Sequence, residues 1–258
     1  MVSIIKGYEC LLAVSSKSSQ DKIDMLKAMG AKVFICPANV SADDPRSYYN
    51  VAKRVHNEIK GSIYINQYFN SLNSEAHYKT TGPEIWKETN GEVGAFITGI
   101  GTGGTITGVG TYLKEKNSNV KIIAAEPQKN HNIQGLRNLD ESEKPELLKR
   151  RIEVIDEKIT VTDKESFDMI KKLSSAENLF AGPSTGSVLA ALNKTINKLE
   201  GKIVLLFGDN AAKYKSIYSK FGVYEEKEFD KRLKESKNNC FTCTYSNTDP
   251  EDSCRIRQ

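Results

Sequence analysis

Short apolar runs alternate along the chain with segments in which apolar residues recur every three or four positions. The run "CLLAVS" (10–15) has the length of a strand, and "SQDKIDMLKAMG" (19–30) has the period of a helix that ends at Gly30. Another apolar run, "AKVFICP" (31–37), follows. This alternation is typical of a parallel sheet covered by helices, so the pattern predicts the α/β class.

The same alternation continues through the middle of the chain. Asp44 and Pro45 suit the cap and first turn of a helix over 46–61, and "IYIN" (63–66) predicts the next strand. A helical stretch follows over 73–91. Residues 93–127 then read as strand, glycine loop, helix and strand, which is a βαβ unit.

The pattern is weaker in the last part of the chain. Residues 129–158 are irregular and charged, and we expect them to wrap the surface. Thr162 and Glu165 have the spacing of a capping box, which predicts a helix over 162–178. Residues 178–194 predict a short strand, a loop and a helix, and 201–210 predict a buried strand. Past Gly222 the composition becomes charged and then polar, which predicts the end of the packed region.

Charge and hydropathy exclude two classes of partner. The chain has 258 residues, with 37 basic and 33 acidic side chains and a net charge of +4. These charges form no basic stripe, so we expect no nucleic-acid partner. The sequence has neither an apolar run long enough to span a membrane nor a secretory signal, which predicts no membrane association and a cytoplasmic location.

The five cysteines fall into two groups. Cys10 and Cys36 lie in apolar runs and are expected to be free thiols in the packed interior. Cys240, Cys243 and Cys254 lie in the polar tail, where "CFTC" has the spacing of a zinc or redox pair. The tail has no histidine to complete a tetrahedral site, so we predict no metal and a weakly ordered tail.

The most informative stretch is the glycine loop "GIGTGGTITG" (99–108). A loop between a strand and a helix presents backbone N–H groups at the positive end of the helix dipole, which suits an anion. Gly99, Gly101 and Gly104 match the G-x-G-x-x-G pattern of dinucleotide-binding folds, and Glu126 stands where such folds place a ribose-binding acid. A tight packed turn without a ligand is the other alternative.

Three features favour a single terminal phosphate over a dinucleotide. Thr102 and Thr105 add hydroxyl donors beside the glycine amides, and a phosphomonoester has more charge and more outer oxygens to satisfy than a diester. The loop lies in mid-chain, whereas a dinucleotide fingerprint normally opens its domain. A second loop, "GPSTGS" (182–187), also lies between a strand and a helix. A single ligand with a phosphate at one end and a ring at the other could therefore contact both loops.

Taken together, these segments resemble the fold-type II pyridoxal phosphate enzymes, within the group of cysteine synthase and cystathionine β-synthase. The resemblance is collinear from the first residue to about residue 220 and is carried by five segments. These are "INQYFNSLNSEAHYKTTGPEIW", "GTGGTITG", "HNIQGL", "GPSTGS" and "GDNAAKYKSIY". The resemblance implies a two-lobed α/β fold with parallel sheets, lacking its N-terminal portion. It implies a smaller substrate-side domain over 1–72, a larger cofactor-binding domain over 73–224 and a charged tail over 225–258.

The resemblance also implies the roles of individual residues. Ser184 would face the pyridine nitrogen of pyridoxal 5'-phosphate, Gln67 would contact the substrate carboxylate, and Asp209 would lie near the ring. A hydroxyl at Ser184 cannot hold the ring nitrogen protonated, which still allows β-elimination. His56, His77 and His131 are expected to be surface or helix-packing residues. The cofactor phosphate would be bound by Gly101, Thr102, Gly103, Gly104 and Thr105.

The implied reaction is β-replacement on serine or an O-acylserine with sulfide or a thiol, in a homodimer. The family's Schiff-base lysine lies upstream of every segment matched here, so this chain contains no assigned catalytic residue. We therefore expect it to be inactive on its own. Two alternatives remain open at this point: a non-catalytic regulatory or binding relative, and an NAD-dependent oxidoreductase.

Overall fold

The computed structural model describes residues 1–141 and 144–238, and its strands form two parallel sheets. The first sheet pairs β1 with β2, and the second has the order β5-β4-β3-β6. The strands are β1 (Leu11–Ser15), β2 (Lys32–Cys36), β3 (Val93–Gly99), β4 (Lys121–Pro127), β5 (Glu157–Val161) and β6 (Lys202–Leu205). All pairings are parallel, which confirms the predicted α/β class.

Helices connect the strands and cover the larger sheet on both faces. The first six are α1 (Val2–Ile5), α2 (Gln20–Ala28), α3 (Tyr48–Glu58), α4 (Leu72–Lys79), α5 (Thr81–Glu88) and α6 (Gly104–Lys116). The others are α7 (Glu146–Lys149), α8 (Asp163–Glu177), α9 (Pro183–Thr195), α10 (Lys215–Lys220) and α11 (Glu226–Asn238). None of the helices in the described ranges is both long and apolar enough to cross a bilayer.

The core of the larger sheet is divided between its two faces. Phe96 of β3 lies opposite Ile122 of β4, and both pack in one buried cluster with Val109 of α6. The next pair along the strands packs on the other face, in a cluster that includes Val188 of α9. Successive side chains of a strand point to opposite faces, so the apolar runs of β3 and β4 fill both layers.

The capping box predicted at the start of α8 is confirmed. Thr162 Oγ1 accepts a hydrogen bond from the Glu165 backbone N–H at 3.1 Å, and Glu165 Oε2 accepts one from the Thr162 N–H at 2.8 Å. Both groups are local in sequence, which explains why spacing alone located this helix start.

The predicted cap of α3 is wrong by three residues. Ser47 caps this helix, because its hydroxyl accepts a hydrogen bond from the Asn50 N–H at 3.3 Å. Asp44 instead binds the guanidinium of Arg46 through both carboxylate oxygens, at 3.0 and 2.8 Å. The aspartate that looked available for capping has a nearer partner of opposite charge.

The expected strand at "IYIN" (63–66) does not form, and these residues have no regular secondary structure. Ile63 and Ile65 are 72% and 68% exposed. A strand needs a neighbour to pair its backbone, and within the described residues none lies beside this segment. An apolar alternation alone was therefore insufficient evidence for a strand.

The segment 129–158 is more deeply packed than expected. Ile133, Leu147 and Leu148 are buried, and β5 begins at Glu157 inside the segment that we expected to lie on the surface. Its apolar residues are spaced without a helical or strand period, so sequence patterning gave no sign of their burial. The predicted strand near 178–181 is reduced to one bridge between Ala181 and Asn210.

The packed region continues past Gly222, contrary to expectation. Helix α11 buries Phe229, which packs with Tyr218 and Tyr224, and Leu233 lies one turn further along the same face. Two apolar residues four positions apart were enough to attach a highly charged helix. The cysteine-rich part of the tail, with Cys240, Cys243 and Cys254, lies outside the described residues.

Candidate functional site

The glycine loop joins the carboxyl end of β3 to the first turn of α6. Gly103 has φ 86°, a left-handed backbone conformation that favours glycine, and it forms the N-terminal cap of α6. The first N–H groups of a helix have no partner within it. The backbone donors of Gly104 and Thr105 therefore stand at the positive end of a 13-residue helix.

Two other segments crowd this loop so closely that side chains do not fit. A Cβ on Gly101 would lie 2.6 Å from the Gly135 carbonyl oxygen. One on Gly104 would lie 2.0 Å from Asn73 Oδ1. Glycine at these two positions therefore lets the loop backbone pack directly against the neighbouring segments.

Hydroxyl groups of the loop are held by side chains of α4. Asn73 Nδ2 donates to Thr102 Oγ1 at 3.0 Å, and the Thr105 hydroxyl lies 3.0 Å from His77 Nε2. His77 Nδ1 in turn lies 3.0 Å from Thr81 Oγ1. These contacts fix the orientation of both threonines beside the loop amides.

His77 is a functional candidate that sequence reasoning missed. The expectation that it packs between helices is correct, because a Cβ on Gly108 of α6 would lie 2.8 Å from its Cβ atom. Its contact with Thr105 adds a positioning role. Burial lowers the pKa of His77, so its imidazole is held neutral near the loop. In the sequence, the only feature that pointed to a role for His77 was its position in the segment that precedes the glycine loop.

Gln67 is connected to the same loop through its backbone. Its carbonyl accepts a hydrogen bond from Asn73 Nδ2 at 2.9 Å, and that amide also contacts Thr102. The Gln67 side chain is exposed, and Asn66 before it has φ 51°, which turns the chain sharply. The amide of Gln67 is therefore free to contact a ligand beside the loop.

Ser184 is placed at the same edge of the sheet as the glycine loop. It follows Pro183 at the start of α9, and the preceding Gly182 N–H donates to the Asp209 carbonyl at 2.9 Å. Asp209 follows β6, the neighbour of β3, and parallel strands end at a common edge. The half-buried Ser184 hydroxyl has no hydrogen-bond partner among residues 1–141 and 144–238.

Asp209 belongs to a polar cluster beside Ser184. Its Oδ2 atom accepts a hydrogen bond from the Tyr214 hydroxyl at 2.6 Å and pairs with Lys213 at 3.0 Å. Its Oδ1 atom is buried without a partner in the described part of the chain. Lys22 lies 4.4 Å from the centre of the Tyr214 ring. Burial lowers the pKa of Lys22 to about 8, against the opposing attraction of Asp209.

Glu126 is not placed to bind a ribose. Its side chain is only 2% exposed, it pairs with Lys158 at 2.9 Å, and it accepts a hydrogen bond from the Leu139 N–H at 2.9 Å. Because the Glu126 carboxylate is engaged by these protein groups, its role is to satisfy buried polar groups of the interior. This removes the residue on which the dinucleotide interpretation depends.

The other two histidines have structural roles. His131 Nδ1 accepts a hydrogen bond from the Ile133 N–H at 3.1 Å, and burial lowers its pKa. His56 Nδ1 lies 2.7 Å from the Ser62 hydroxyl, at the end of α3. No group of three or more potential metal ligands occurs within the part of the chain that the structure describes.

Comparison with known proteins agrees with the arrangement of the loop. A family model described as "Pyridoxal-phosphate dependent enzyme" matches residues 1–209. The cystathionine beta-synthase of Apis mellifera is 34% identical over 227 residues, which cover 83% of this chain and 45% of that protein. Cysteine synthase B of Pseudomonas aeruginosa is 30% identical over 226 residues, covering 87% and 72%.

A solved structure shows the same fold. The crystal structure of O-ureido-L-serine synthase matches with a TM-score of 0.77 and 27% sequence identity, covering 87% of this chain and 72% of that one. The present chain spans about half the length of the cystathionine beta-synthases it matches. With a family match over more than half of its residues, the chain belongs to the pyridoxal-phosphate dependent enzymes of fold type II, in the cysteine synthase and cystathionine beta-synthase group.

Proposed function

We propose that this chain takes part in β-replacement on L-serine or an O-acylserine, in which sulfide or a thiol takes the place of the β-substituent. Its similarity to proteins named cystathionine beta-synthase and cysteine synthase supports this chemistry. The observation that carries the proposal is the crowded glycine loop at the start of α6. Pyridoxal 5'-phosphate, when bound, supplies a ring that withdraws electrons from the reacting amino acid.

The loop residues fit the phosphate of this cofactor. In this proposal the Thr105 N–H donates to the phosphate, aided by the dipole of α6, and the Gly104 N–H, which has a long hydrogen bond of 3.4 Å to Thr102 Oγ1, turns to the phosphate when it binds. The Thr102 and Thr105 hydroxyls supply further donors, which their contacts with α4 hold in place. Gly101 and Gly103 keep the loop free of side chains, one through a close approach and the other through its positive φ.

Ser184 and Gln67 would complete the site. The unpartnered Ser184 hydroxyl is assigned to the ring nitrogen, to which it can donate a hydrogen bond without transferring its proton. The exposed Gln67 amide is assigned to the carboxylate of the amino-acid substrate. Both assignments are supported by positions beside the glycine loop, Gln67 through Asn73 and Ser184 through the common edge of the sheet.

The domain boundaries, a homodimer and a cytoplasmic location are further parts of the proposal. The separation of β1 and β2 from the four-stranded sheet supports a division near residue 72. Large apolar side chains are also exposed mainly before residue 73, among them Ile4, Ile5, Ile63 and Ile65.

Thermal unfolding with each candidate ligand tests the proposal. A ligand that binds the folded chain raises its Tm. We expect pyridoxal 5'-phosphate to raise the Tm and NAD to leave it unchanged. Thr105→Ala should weaken binding of pyridoxal phosphate by about tenfold, the loss of one charge-assisted hydrogen bond. Thr111→Ala, further along the same helix, is the matched control.

A rise in Tm with NAD alone would overturn the proposal in favour of the oxidoreductase alternative. Turnover is measured separately, as formation of the replaced amino acid from O-acetyl-L-serine and sulfide. Turnover by residues 1–258 without added protein would contradict the expectation that this chain is inactive alone. Because this chain is expected to be inactive alone, cofactor binding without turnover would agree with the proposal and with the non-catalytic alternative alike.

A further inference from the structure

Side chains of α4 contact both threonine hydroxyls of the glycine loop. Asn73 Nδ2 lies 3.0 Å from Thr102 Oγ1, and His77 Nε2 lies 3.0 Å from Thr105 Oγ1. A hydroxyl has one hydrogen to donate and two lone pairs with which to accept. The group that donates in each contact therefore decides whether the threonine keeps its hydrogen for a ligand on the loop.

At Thr102 the direction of the hydrogen bond is fixed by a third group. Asn73 Nδ2 also lies 2.9 Å from the Gln67 carbonyl oxygen, which can only accept. The atom between these two oxygens is therefore the amide nitrogen of Asn73, and it donates to both. The Thr102 hydroxyl accepts this hydrogen bond and keeps its own hydrogen.

At Thr105 the direction depends on the tautomer of His77. The second ring nitrogen, Nδ1, lies 3.0 Å from the Thr81 hydroxyl oxygen. A neutral imidazole has one hydrogen, and the hydrogen bonds of its two nitrogens decide which of them carries it. With the hydrogen on Nε2, His77 donates to Thr105 and accepts from Thr81. With the hydrogen on Nδ1, Thr105 must give its hydrogen to His77 and presents only lone pairs to a ligand.

The surroundings of His77 allow the tautomer with hydrogen on Nε2. Among the residues described, His77 is the one hydrogen-bond partner of the Thr81 hydroxyl, whose hydrogen is therefore free to point at Nδ1. The imidazole is held in place because α4 packs closely on α6, where a Cβ on Gly108 would lie 2.8 Å from the His77 Cβ atom. Burial lowers the pKa of His77, so the ring is neutral and has a single hydrogen to place.

A phosphate on the loop distinguishes the two tautomers. The oxygens of a phosphate dianion accept hydrogen bonds, so a hydroxyl beside them is favoured as a donor. Hydrogen on Nδ1 would instead turn the lone pairs of Thr105 toward the anion, in the first turn of α6. The contacts with α4 therefore suit a ligand group that accepts hydrogen bonds and does not donate them.

We propose that His77 is a positioning residue of the phosphate site: its Nε2–H donates to Thr105 and so directs the Thr105 hydrogen to the ligand. Asn73 does the same for Thr102 with a donor that cannot reverse. This inference rests on the proposed function for the identity of the ligand as pyridoxal 5'-phosphate, and the hydrogen-bond direction applies equally to inorganic phosphate. His77 acts through Thr105 and does not itself touch the ligand.

Nitrogen NMR of the full chain reads the tautomer directly. The chain has three histidines, so long-range ¹H–¹⁵N spectra of the imidazole rings can be assigned with His56→Gln and His131→Gln. Inorganic phosphate and pyridoxal 5'-phosphate are added to separate samples at pH 7.5. We expect Nε2 of His77 to carry a hydrogen in both loaded samples. An Nε2 without hydrogen in either loaded sample would overturn the inference.

Two variants of similar size separate the hydrogen bond from packing. His77→Gln has an amide N–H in place of the Nε2 donor, whereas His77→Met fills the space without a donor. We expect His77→Met to weaken binding of pyridoxal phosphate about tenfold and His77→Gln to stay within about threefold of the wild type, by cofactor absorbance. His56→Gln, at the end of α3, is the matched control and should leave the affinity unchanged. Equal affinities of the two His77 variants would refute the positioning role, and should His77→Met fail to fold, the NMR result decides.

The two ligands distinguish failure of this inference from failure of the proposed function. Binding of pyridoxal phosphate with no hydrogen on Nε2 contradicts this inference and leaves the proposed function intact. Binding of inorganic phosphate with hydrogen on Nε2, without binding of pyridoxal phosphate, supports this inference and contradicts the proposed function. Binding of neither ligand contradicts both.

Discussion

The Nε2 atom of His77 lies 3.0 Å from the Thr105 hydroxyl oxygen, and its Nδ1 atom lies 3.0 Å from that of Thr81. One imidazole thus connects α4, α5 and the first turn of α6. A neutral imidazole has one donor and one acceptor nitrogen. When Nε2–H donates to Thr105, the threonine hydroxyl is free to donate its own hydrogen to an anion on the loop.

The buried state of His77 predicts a pH dependence of stability. Its pKa is lowered in the folded chain, so the unfolded chain binds the proton more readily. The contribution of the neutral His77 side chain to the stability of the fold is fully present above the pKa of the unfolded chain, about 6.5. It is lost as the pH falls from that pKa toward the lower pKa of the folded chain. His77→Gln should reduce the loss of unfolding free energy between pH 7.5 and pH 5, measured with urea. Because burial also lowers the pKa of His131, part of the loss should remain. An unchanged pH slope in the variant would contradict this prediction.

The close packing of α8 on α9 predicts an intolerance at Gly186. A Cβ at this position would lie 1.9 Å from the Ser166 carbonyl oxygen, which is backbone and does not rotate away. Gly186→Ala should lower the free energy of unfolding by about 2 kcal/mol or more. Gly208→Ala is the matched control, since a Cβ there has nothing within 4 Å, and it should be neutral. Equal stability of the two variants, by chemical denaturation, would refute the packing argument.

The ion pair of Glu126 and Lys158 predicts a large cost for removing one partner. The Glu126 side chain is 2% exposed and also accepts the Leu139 N–H, so Glu126→Ala leaves that buried donor without its acceptor and leaves Lys158 only the longer contact with Asp140 at 3.8 Å. We expect a loss of about 2 to 4 kcal/mol in the free energy of unfolding. Glu92 pairs with Lys202 at the surface, where both side chains are at least half exposed, and Glu92→Ala should change stability little. A similar effect of both substitutions would show that burial of Glu126 contributes nothing.

The lowered pKa of Lys22 predicts unusual reactivity of its amine. Burial brings the pKa to about 8, so a large fraction of the amine is uncharged near that pH. Brief labelling with acetic anhydride across a pH series, followed by peptide mass spectrometry, should give a midpoint near pH 8 for Lys22. Tyr214→Phe keeps the aromatic ring beneath the Lys22 amine and is the control variant with the same packing. A midpoint near 10 would contradict the prediction.

Local signals in the sequence located much of the fold. The strands β1 to β4 and the capping box of α8 were predicted because each depends on residues that are neighbours in the chain. The glycine loop was recognised for the same reason, since its conformation is restricted by its own residues. Errors occurred where partners were distant or absent, as at the unpaired segment 63–66 and the buried Leu148.

The sequence by itself determined the α/β class, the positions of the helices and strands around the loop, and the family to which the chain belongs. The tertiary structure decided which side chains meet the loop: His77 at Thr105, Asn73 at Thr102, and Gly135 against Gly101. It also placed Arg137 among tyrosines 69 to 89 positions earlier, without a carboxylate in the described chain. Periodicity reports only which way a side chain faces within its own element, whereas contacts between elements depend on how the chain packs.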